Sequence, residues 1–391
     1  MRVCAVGLRG LPGVMGGIEA HCQALYPSMV AHDPSIEVVV LGRKPYLPKG
    51  SRSYQGVKVI PLPAWRQKYV ETLFHTLVAV LHARFAIRPD VLHLHAIGPA
   101  LFCPLARLLG MPVVVTHHGA DYDRSKWRAP AKALLRLGEF MALRFANRII
   151  VVGRSLAQRL QEDTPAAAER IEFLPNGVPQ SAMNARTAVA GAAAEDGGIL
   201  HRYGLKSGGY ILAVGRLVPE KGFHDLIEAF GSLGPGCRKL VIVGRADHGD
   251  KFSKTLRSRA SESLVFTGFQ SGAALETLRR NAALFVLPSH HEGMPITALE
   301  ALGAGLPTLL SDIEPNLDLG LPEHCYFPAG DVSALAAKIG LADYSRYRCA
   351  SDLPLGQLDW RKIAIRTAEI LRQAADREVI EAPLQSGSHE P

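Results

Sequence analysis

Glu292 and Glu300 lie eight residues apart, and their type and spacing say most about the chemistry of this chain. Glu292 lies in a Gly- and Pro-containing loop that follows the apolar run 283–287. Glu300 lies about a turn and a half into the helix that this loop is expected to open. Free backbone N–H groups at the start of such a helix attract phosphate. The two carboxylates therefore predict a ligand with hydroxyl groups on either side of a phosphate, which is the outline of a nucleotide-sugar.

Two further loops are suited to an anion. Residues 7–21 form a glycine-rich loop directly after a predicted strand, and Gly16 and Gly17 open the next helix, where phosphate can approach the backbone closely. Arg216 and Lys221 lie in one loop after the first strand of the second half, where they could neutralise a diphosphate. The alternatives are a strand-to-helix turn without a ligand and two solvated cations.

A fourth candidate segment, residues 113–124, ends in polar residues at the carboxyl end of a buried strand. His118 precedes a glycine and could donate a hydrogen bond to a sugar, although the neighbouring His117 leaves open which ring faces the ligand. Asp121 and Asp123 form a D-x-D pattern that could hold a divalent cation, or could simply be solvated.

Charge is unevenly distributed along the 391 residues. Residues 1–180 carry a net charge of +10 (22 Lys and Arg against 12 Asp and Glu), whereas the remainder carries −2 (22 against 24). Between Arg124 and Arg148, cations alternate with Trp127, Phe140 and other apolar residues, and Glu139 is the only acid. This pattern predicts contact with an anionic membrane surface, or else an ordinary surface helix. No nucleic-acid-binding motif accompanies it, so nucleic acid is not an expected partner.

The elements that must position these residues alternate between strand and helix, which predicts two doubly wound α/β domains with parallel sheets that face each other across a cleft. The predicted strands are 2–7, 36–41, 57–61, 91–95, 112–116, 149–152, 171–174, 210–214, 240–243, 264–266, 284–287 and 307–310. The predicted helices are 17–32, 69–87, 98–109, 130–146, 154–162, 222–232, 271–280, 295–304 and 360–372.

The predicted domain boundaries follow from composition. Residues 1–180 form the first domain, closed by the Asn-Gly turn of segment 173–178, and the small, featureless residues 181–200 form a linker. Residues 201–350 form the second domain, 351–378 contain the final helix, and 379–391 are expected to be a disordered tail. The chain has no evident signal peptide and no run of about 18–20 apolar residues, so no membrane span is expected.

Three segments together resemble glycosyltransferase family 4, the retaining glycosyltransferases of GT-B fold: G-G-I-E-A-H near the start, V-G-R-L-V-P-E-K-G, and E-G-M-P-I-T-A-L-E-A-L-G-A-G-L-P. The N-terminal loop is similar to a bacterial subgroup that acts in exopolysaccharide, capsule and O-antigen assembly. The resemblance covers nearly the whole chain. It implies a metal-independent hexosyltransferase without a cofactor, in which the D-x-D is incidental and the helix from Trp360 crosses back to the first domain.

The resemblance also implies roles for individual residues. His118 would lie beside the transferred sugar near its anomeric centre, and Glu292 would hold the hydroxyls of that sugar. Arg216 and Lys221 would bind the donor diphosphate, and Glu300 would accept from the ribose hydroxyls. The backbone amides of Gly16, Gly17, Gly293 and Met294 would line the sugar-phosphate region.

The expected reaction is transfer of a sugar from a UDP-, GDP- or dTDP-sugar to a saccharide or an undecaprenyl-diphosphate-linked acceptor. The expected location is cytoplasmic, at the inner face of the plasma membrane. Alternatives are a nucleotide-sugar epimerase of the same fold and a non-catalytic nucleotide-sugar-binding partner. A nicotinamide-dependent dehydrogenase is less favoured, because no G-x-G-x-x-G loop is followed by an acid about 20 residues later.

Overall fold

The computed structural model describes residues 1–47, 50, 52–65, 70–124, 128–178, 198–234, 236–246, 251–348 and 358–376. Most of the predicted linker and the whole predicted tail, residues 379–391, lie outside these ranges, as does Trp127. The described residues form two α/β domains, each built around one sheet, which confirms the predicted fold class.

The first domain contains an eight-stranded sheet in the order β3-β4-β2-β1-β5-β6-β7-β8. Its strands are β1 Arg2–Val6, β2 Glu37–Arg43, β3 Ser53–Tyr54, β4 Val57–Leu62, β5 Val91–His95, β6 Val113–His117, β7 Arg148–Val151 and β8 Ile171–Phe173. Its helices are α1 Gly17–His32, α2 Glu71–His82, α3 Ile97–Ala100, α4 Cys103–Leu108, α5 Ala129–Phe145 and α6 Arg154–Asp163. All neighbouring strands are parallel except β3 and β4.

The second domain contains a six-stranded parallel sheet in the order β11-β10-β9-β12-β13-β14. Its strands are β9 Tyr210–Val214, β10 Lys239–Val243, β11 Leu264–Gly268, β12 Leu284–Leu287, β13 Thr308–Ser311 and β14 Tyr326–Phe327. The remaining helices are α7 Ile199–Arg202, α8 Phe223–Gly231, α9 Lys251–Arg257, α10 Gly272–Arg280, α11 Ile296–Gly303, α12 Glu314–Leu317, α13 Val332–Ile339 and α14 Trp360–Ala375.

Two sequence predictions need correction at the level of elements. The single helix predicted over 98–109 is two short helices, α3 and α4, separated by a turn at 101–102. The helix predicted over 69–87 ends as α2 at His82, and a wider π-helical turn, Ala83–Ile87, follows it. Proline is common in the first turn of a helix, and Pro104 occupies that position in α4.

Each sheet reverses its strand order beside its first strand, between β1 and β5 in one domain and between β9 and β12 in the other. Loops that follow the carboxyl ends of these strands form the usual ligand site of a doubly wound sheet. The strands that precede these loops are buried, since each residue from Val3 to Val6 and from Leu284 to Leu287 is at most 1% exposed. The loops are therefore positioned by strands of the domain core.

Helix α14 follows the second domain but packs on the first. Trp360 and Ile363 belong to the same apolar core as Leu25 and Met29 of α1. Arg366 binds Glu172 of β8 at 2.5 Å. The predicted crossover helix is therefore confirmed, and it joins the two domains. No helix among the described residues is long and apolar enough to cross a membrane.

Candidate active site

The glycine-rich loop after β1 is held by an internal ion pair. Glu19, 4% exposed on the first turn of α1, accepts hydrogen bonds from the backbone N–H and the guanidinium of Arg9, both at 3.0 Å. A Cβ at Gly16 would lie 1.9 Å from a Glu19 carboxylate oxygen, so a side chain there would displace Glu19 from Arg9. A Cβ at Gly17 would meet nothing within 4 Å. The start of α1 is thus an open backbone surface.

The second-domain loop after β12 carries Glu292, whose side chain is 9% exposed. Burial opposes ionisation of this carboxyl, but the charge of Lys221 and hydrogen bonds from Lys221 and Ser289 outweigh it and lower its pKa. The Lys221 ammonium lies 2.5 Å and the Ser289 hydroxyl 2.6 Å from Glu292 Oε1. Glu292 is therefore an ionised carboxylate with a fixed orientation.

Glu300 is the fifth residue of α11, as the sequence spacing predicted. It accepts a hydrogen bond from Arg279 Nη2 at 2.7 Å, and Arg279 also binds Glu276 at 2.7 Å. Burial raises the pKa of Glu300, Arg279 counteracts that shift, and Glu276 adds to it. Arg279 is 5% exposed and orients Glu300 towards the cleft. No sequence pattern distinguished it from the adjacent Arg280.

The two histidines at the end of β6 point in different directions. His117 is 1% exposed and binds Glu139 of α5 at 2.8 Å. His118 lies on the wall of the cleft. Burial and the neighbouring histidines His21, His93 and His117 keep the pKa of His118 well below its usual value, so the ring is neutral.

The two domains touch directly beneath the cleft. A Cβ at Gly293 would lie 1.6 Å from the backbone oxygen of His118, and one at Gly119 would lie 2.7 Å from Gly293 Cα. Asn176 adds polar contacts across the same boundary: its amide nitrogen donates to the Met294 carbonyl at 3.1 Å, and its backbone N–H lies 3.1 Å from the Met294 sulfur.

The role of Asn176 corrects the sequence analysis, which assigned segment 173–178 only the closing of a domain. Its side-chain oxygen lies 2.7 Å from His21 Nδ1 on α1, so Asn176 links the glycine loop of one domain to Met294 of the other. Because these partners lie far away in the sequence, the Asn-Gly pattern alone predicted only a turn.

One cavity of about 980 Å³ lies between the domains. It is lined by every residue that the sequence analysis selected for donor binding or catalysis: Gly16, Gly17, His118, Arg216, Lys221, Glu292, Gly293, Met294 and Glu300. Asp121 also lines it, but pairs with Arg124 at 2.9 Å, whereas Asp123 lines a separate, smaller pocket. The D-x-D acids therefore do not share one wall of the cavity.

Two family models match the chain. The model described as Glycosyltransferase Family 4 matches residues 15–181, and the model described as Glycosyl transferases group 1 matches residues 204–342. Together they span both domains.

Among curated proteins, a glycogen synthase of Mycobacterium tuberculosis is 27% identical, covering 95% of this chain and 94% of that protein. The UDP-Gal:alpha-D-GlcNAc-diphosphoundecaprenol alpha-1,3-galactosyltransferase of Escherichia coli is 27% identical, covering 58% of this chain and 59% of that protein.

Solved structures show the same architecture. Sucrose-phosphate synthase from Thermosynechococcus elongatus superposes with a TM-score of 0.78 at 20% identity, covering 95% of this chain and 98% of that one. Anabaena HepE in complex with UDP-glucose superposes with a TM-score of 0.73 at 18% identity, covering 95% and 99%.

Proposed function

Because the chain belongs to glycosyltransferase family 4 and has the GT-B fold, we propose that it transfers a hexosyl group from a nucleoside-diphosphate sugar to a hydroxyl of a lipid-linked saccharide, with retention of configuration. The main support is the cavity between the domains, where two cations, two carboxylates and an open helix start face one space. An epimerase and a non-catalytic partner are not favoured, since both family models describe transferases.

The donor diphosphate would lie between the start of α1 at Gly16 and Gly17 and the cations Arg216 and Lys221. Free N–H groups and positive charge there would stabilise the negative charge that develops on the leaving group. The complex of HepE with UDP-glucose supports a nucleotide-sugar as the donor. UDP-, GDP- and dTDP-sugars are the candidates.

Hydroxyl groups at the two ends of the donor would meet the two glutamates. Glu300, oriented by Arg279, would accept hydrogen bonds from the ribose hydroxyls. Glu292 would accept from hydroxyls of the transferred sugar, with the backbone amides of Gly293 and Met294 beside it. His118 lines the same cavity and would lie next to the sugar.

In the proposed reaction, the bond from the anomeric carbon to the diphosphate oxygen breaks while the acceptor oxygen attacks from the same face. The acceptor hydroxyl proton passes to the departing phosphate oxygen, so charge and atoms balance. Lys221 and Ser289 already engage Glu292, which disfavours this carboxylate as a covalent nucleophile. No metal ion is required by this scheme, because Arg216 and Lys221 provide the positive charge.

The acceptor side of the first domain carries an exposed apolar face. On and beside α2, Val70, Phe74, Leu77, Leu81 and Phe85 recur at helical spacing, and each is at least 38% exposed. Such a face on a soluble domain is typical of an interaction surface.

Helix α5 continues this apolar face. Leu134, Leu137 and Phe140 are 37%, 42% and 57% exposed. The two helices flank Gly98, where an added Cβ would lie 3.7 Å from Thr72 of α2 and 3.8 Å from Leu135 of α5. All three of these residues also line the cavity, so an apolar surface leads directly into it.

Charge around this face favours an anionic lipid surface. In residues 70–88 the only acid is Glu71, which is buried and binds Arg43 at 3.2 Å. Exposed cations, including Arg84 and Arg136, flank the apolar side chains. Together with the diphosphoundecaprenol acceptor named for the E. coli relative, this supports a peripheral location at the inner face of the plasma membrane and a polysaccharide-assembly role.

A donor screen followed by a transfer assay tests the proposal. Thermal shifts with UDP-, GDP- and dTDP-sugars identify the donor, and the protein is then incubated with undecaprenyl-diphosphate-linked saccharides. The expected product carries a new sugar with the donor's anomeric configuration, which NMR determines. Conversion of the donor alone to an isomer would instead identify an epimerase, and a covalent glycosyl-protein adduct in mass spectra would exclude the same-face mechanism.

A further inference from the structure

A buried file of polar side chains leads from strand β6 to His118. Thr116 Oγ1 lies 2.7 Å from His93 Nε2, and His93 Nδ1 lies 3.0 Å from the Tyr26 hydroxyl. That hydroxyl lies 2.5 Å from His95 Nε2, and His95 Nδ1 lies 3.0 Å from His118 Nε2. The first four residues are at most 1% exposed, and none of them lines the cavity.

The number of protons in this file limits how its hydrogen bonds can be directed. Burial and nearby histidines lower the pKa of His93 to about 3 and that of His95 well below its usual value, so both rings are neutral. A neutral imidazole has one N–H and one acceptor nitrogen, and a tyrosine hydroxyl has one proton. Each member must therefore accept at one end and donate at the other. Cys22 Sγ also lies 3.6 Å from His95 Nε2, but the 2.5 Å contact between the Tyr26 hydroxyl and His95 Nε2 requires a proton between those two atoms, so the weak thiol donor does not replace it. Two complete arrangements therefore remain, and they run in opposite directions.

Thr116 distinguishes the two directions. Among the described residues, His93 is the only side-chain or backbone partner of its hydroxyl. If Thr116 donates to His93, every buried proton from Thr116 to His95 has an acceptor. In the opposite direction Thr116 only accepts, and its own proton is left buried without a partner, which is costly in a protein interior.

We propose that this file, running from Thr116 to His118, holds His118 in the tautomer that carries its proton on Nδ1. His95 donates to Nε2 of His118, so the single proton of the neutral ring must lie on Nδ1. No described residue bonds that Nδ1, and the ring lines the cavity, so the N–H is available to a ligand. Thr116, His93, Tyr26 and His95 are then positioning residues.

The effect of this His118 tautomer on sugar transfer rests on the proposed function. An N–H donor suits a phosphate oxygen, which an acceptor nitrogen would repel, and it can also donate to the oxygen of a sugar hydroxyl. A neutral donor also adds no positive charge beside an anomeric carbon that becomes cationic in the transition state. The file therefore provides a neutral N–H donor in the cavity in place of a positively charged imidazolium.

A metal ion is the competing use of these side chains. Ring nitrogens of His21, His95 and His118 lie within 4.8 Å of one another. His21 Nε2 has no hydrogen-bond partner among the described residues, but the 3.0 Å separation of His95 Nδ1 and His118 Nε2 is that of a hydrogen bond with a proton between two nitrogens. Purified protein that holds zinc on these three histidines would contradict the proposal, because the metal would replace that proton.

The tautomer can be measured directly by ¹⁵N NMR of the ligand-free, full-length chain labelled at histidine, with the His118 signals assigned from a His118→Gln spectrum. We expect a protonated Nδ1 and an unprotonated Nε2 at pH 7. A protonated Nε2 in the wild-type protein would overturn the proposal. This measurement uses no substrate, so it is decisive even if no donor supports transfer.

Two substitutions at the far end of the file test its direction. Thr116→Val removes the hydroxyl at nearly constant shape, so the Nε2–H form of His118 should become populated and kcat should fall about 10-fold with little change in donor KM. Thr116→Ser keeps the hydroxyl and should restore both readouts. A Thr116→Val protein with a wild-type His118 tautomer would contradict the proposal.

Tyr26→Phe interrupts the file in its middle and should have the same effect on the tautomer and on kcat. Tyr210→Phe is the matched control, since Tyr210 is equally buried and donates to the Leu278 carbonyl at 2.5 Å in the other domain. If both variants change stability alike and neither changes the His118 tautomer, the file is only structural and the proposal fails.

Discussion

At the scale of residues, Glu292 and Glu300 of the cavity are each paired with a cation. Lys221 is bound to Glu292, and Arg279 is bound to Glu300 and Glu276. Pairing allows these groups to stay ionised in a largely buried place, because each charge has a partner at hydrogen-bond distance. In the proposed site, an arriving diphosphate would share Lys221 with Glu292, which would couple recognition of the phosphate to the orientation of this carboxylate.

Glu292→Gln should lower kcat about 100-fold, because an amide neither orients Lys221 by charge nor accepts sugar hydroxyls as strongly as a carboxylate. The measurement is steady-state kinetics with the donor identified by the screen. Glu228→Gln is the control, since Glu228 is an exposed acid of the second domain that does not line the cavity. Equal kinetics for wild-type and Glu292→Gln protein would remove Glu292 from the site.

Glu300→Ala should act mainly on affinity, raising the donor KM about 10-fold with a smaller change in kcat, because a ribose contact is equally present before and during the reaction. Glu300→Gln retains an acceptor and should give an intermediate KM. Calorimetry with the nucleoside diphosphate alone separates this effect from turnover. A loss of kcat at unchanged nucleotide affinity would contradict the ribose assignment.

His75, fully buried on α2, should make stability depend on pH. Burial, followed by the charge of Arg43, lowers its pKa to about 4, whereas an unfolded histidine titrates near about 6.5. Between these values the unfolded chain binds more protons, so the free energy of unfolding should fall by roughly 1–2 kcal/mol from pH 7 to pH 5 on account of this residue.

His75→Phe should remove that part of the pH dependence, as urea unfolding at pH 5, 6 and 7 can measure. His201→Phe replaces an exposed histidine and should leave the dependence as in the wild-type protein. The same slope in His75→Phe and wild type would show that His75 does not titrate differently on folding.

At the scale of elements, the long buried strands and amphipathic helices were predictable because their apolar period is local. The missed elements are short: β14 has two residues, Tyr326–Phe327, and α9 and α13 have seven and eight. The single helix expected over 98–109 was wrong because its apolar residues continue through the turn at 101–102. Periodicity cannot resolve such elements.

The position of residues around the cavity was predictable where a loop motif carries its own chemistry, as at Glu292 and Gly16. It was not predictable where function depends on pairing across the sequence. Asn176 meets Met294 and His21, and Arg279 meets Glu300, through folding of distant segments. A single sequence contains no local signal for such contacts.

The apolar face of α2 should bind lipid. Replacing both Leu77 and Phe85 by Gln should reduce binding to vesicles that contain phosphatidylglycerol about 10-fold or more, since each apolar side chain removed from the interface weakens partitioning. Cosedimentation measures the bound fraction, and added salt should weaken the wild-type interaction. Leu317→Gln, at an exposed leucine of the second domain, should bind normally. Normal binding by the double variant would exclude this face as the membrane contact.

At the scale of the whole molecule, several contacts join the two domains around the cleft. Ser155 donates its backbone N–H to Asp318 at 3.0 Å, Asn176 binds Met294, and α14 returns to the first domain. Between these joints His118 and Gly293 touch backbone to backbone. The proposed donor site requires this contact to be close, because His118 and Glu292 line one cavity from opposite domains.

Gly293→Ala should therefore act on the geometry of the whole molecule. A Cβ at this position would lie 1.6 Å from the His118 backbone oxygen, which no rotamer change can relieve, so the domains must separate. A displacement of about 1 Å between reacting groups can cost 10²-fold in rate, and we expect kcat/KM to fall about 100-fold while each domain stays folded. Gly231→Ala is the matched control, because a Cβ there meets nothing within 4 Å. Kinetics and small-angle scattering measure the two effects together. Gly293→Ala should increase the radius of gyration with nucleotide bound. If kcat/KM and the radius of gyration are both unchanged, close apposition of the domains at this point is not needed for transfer.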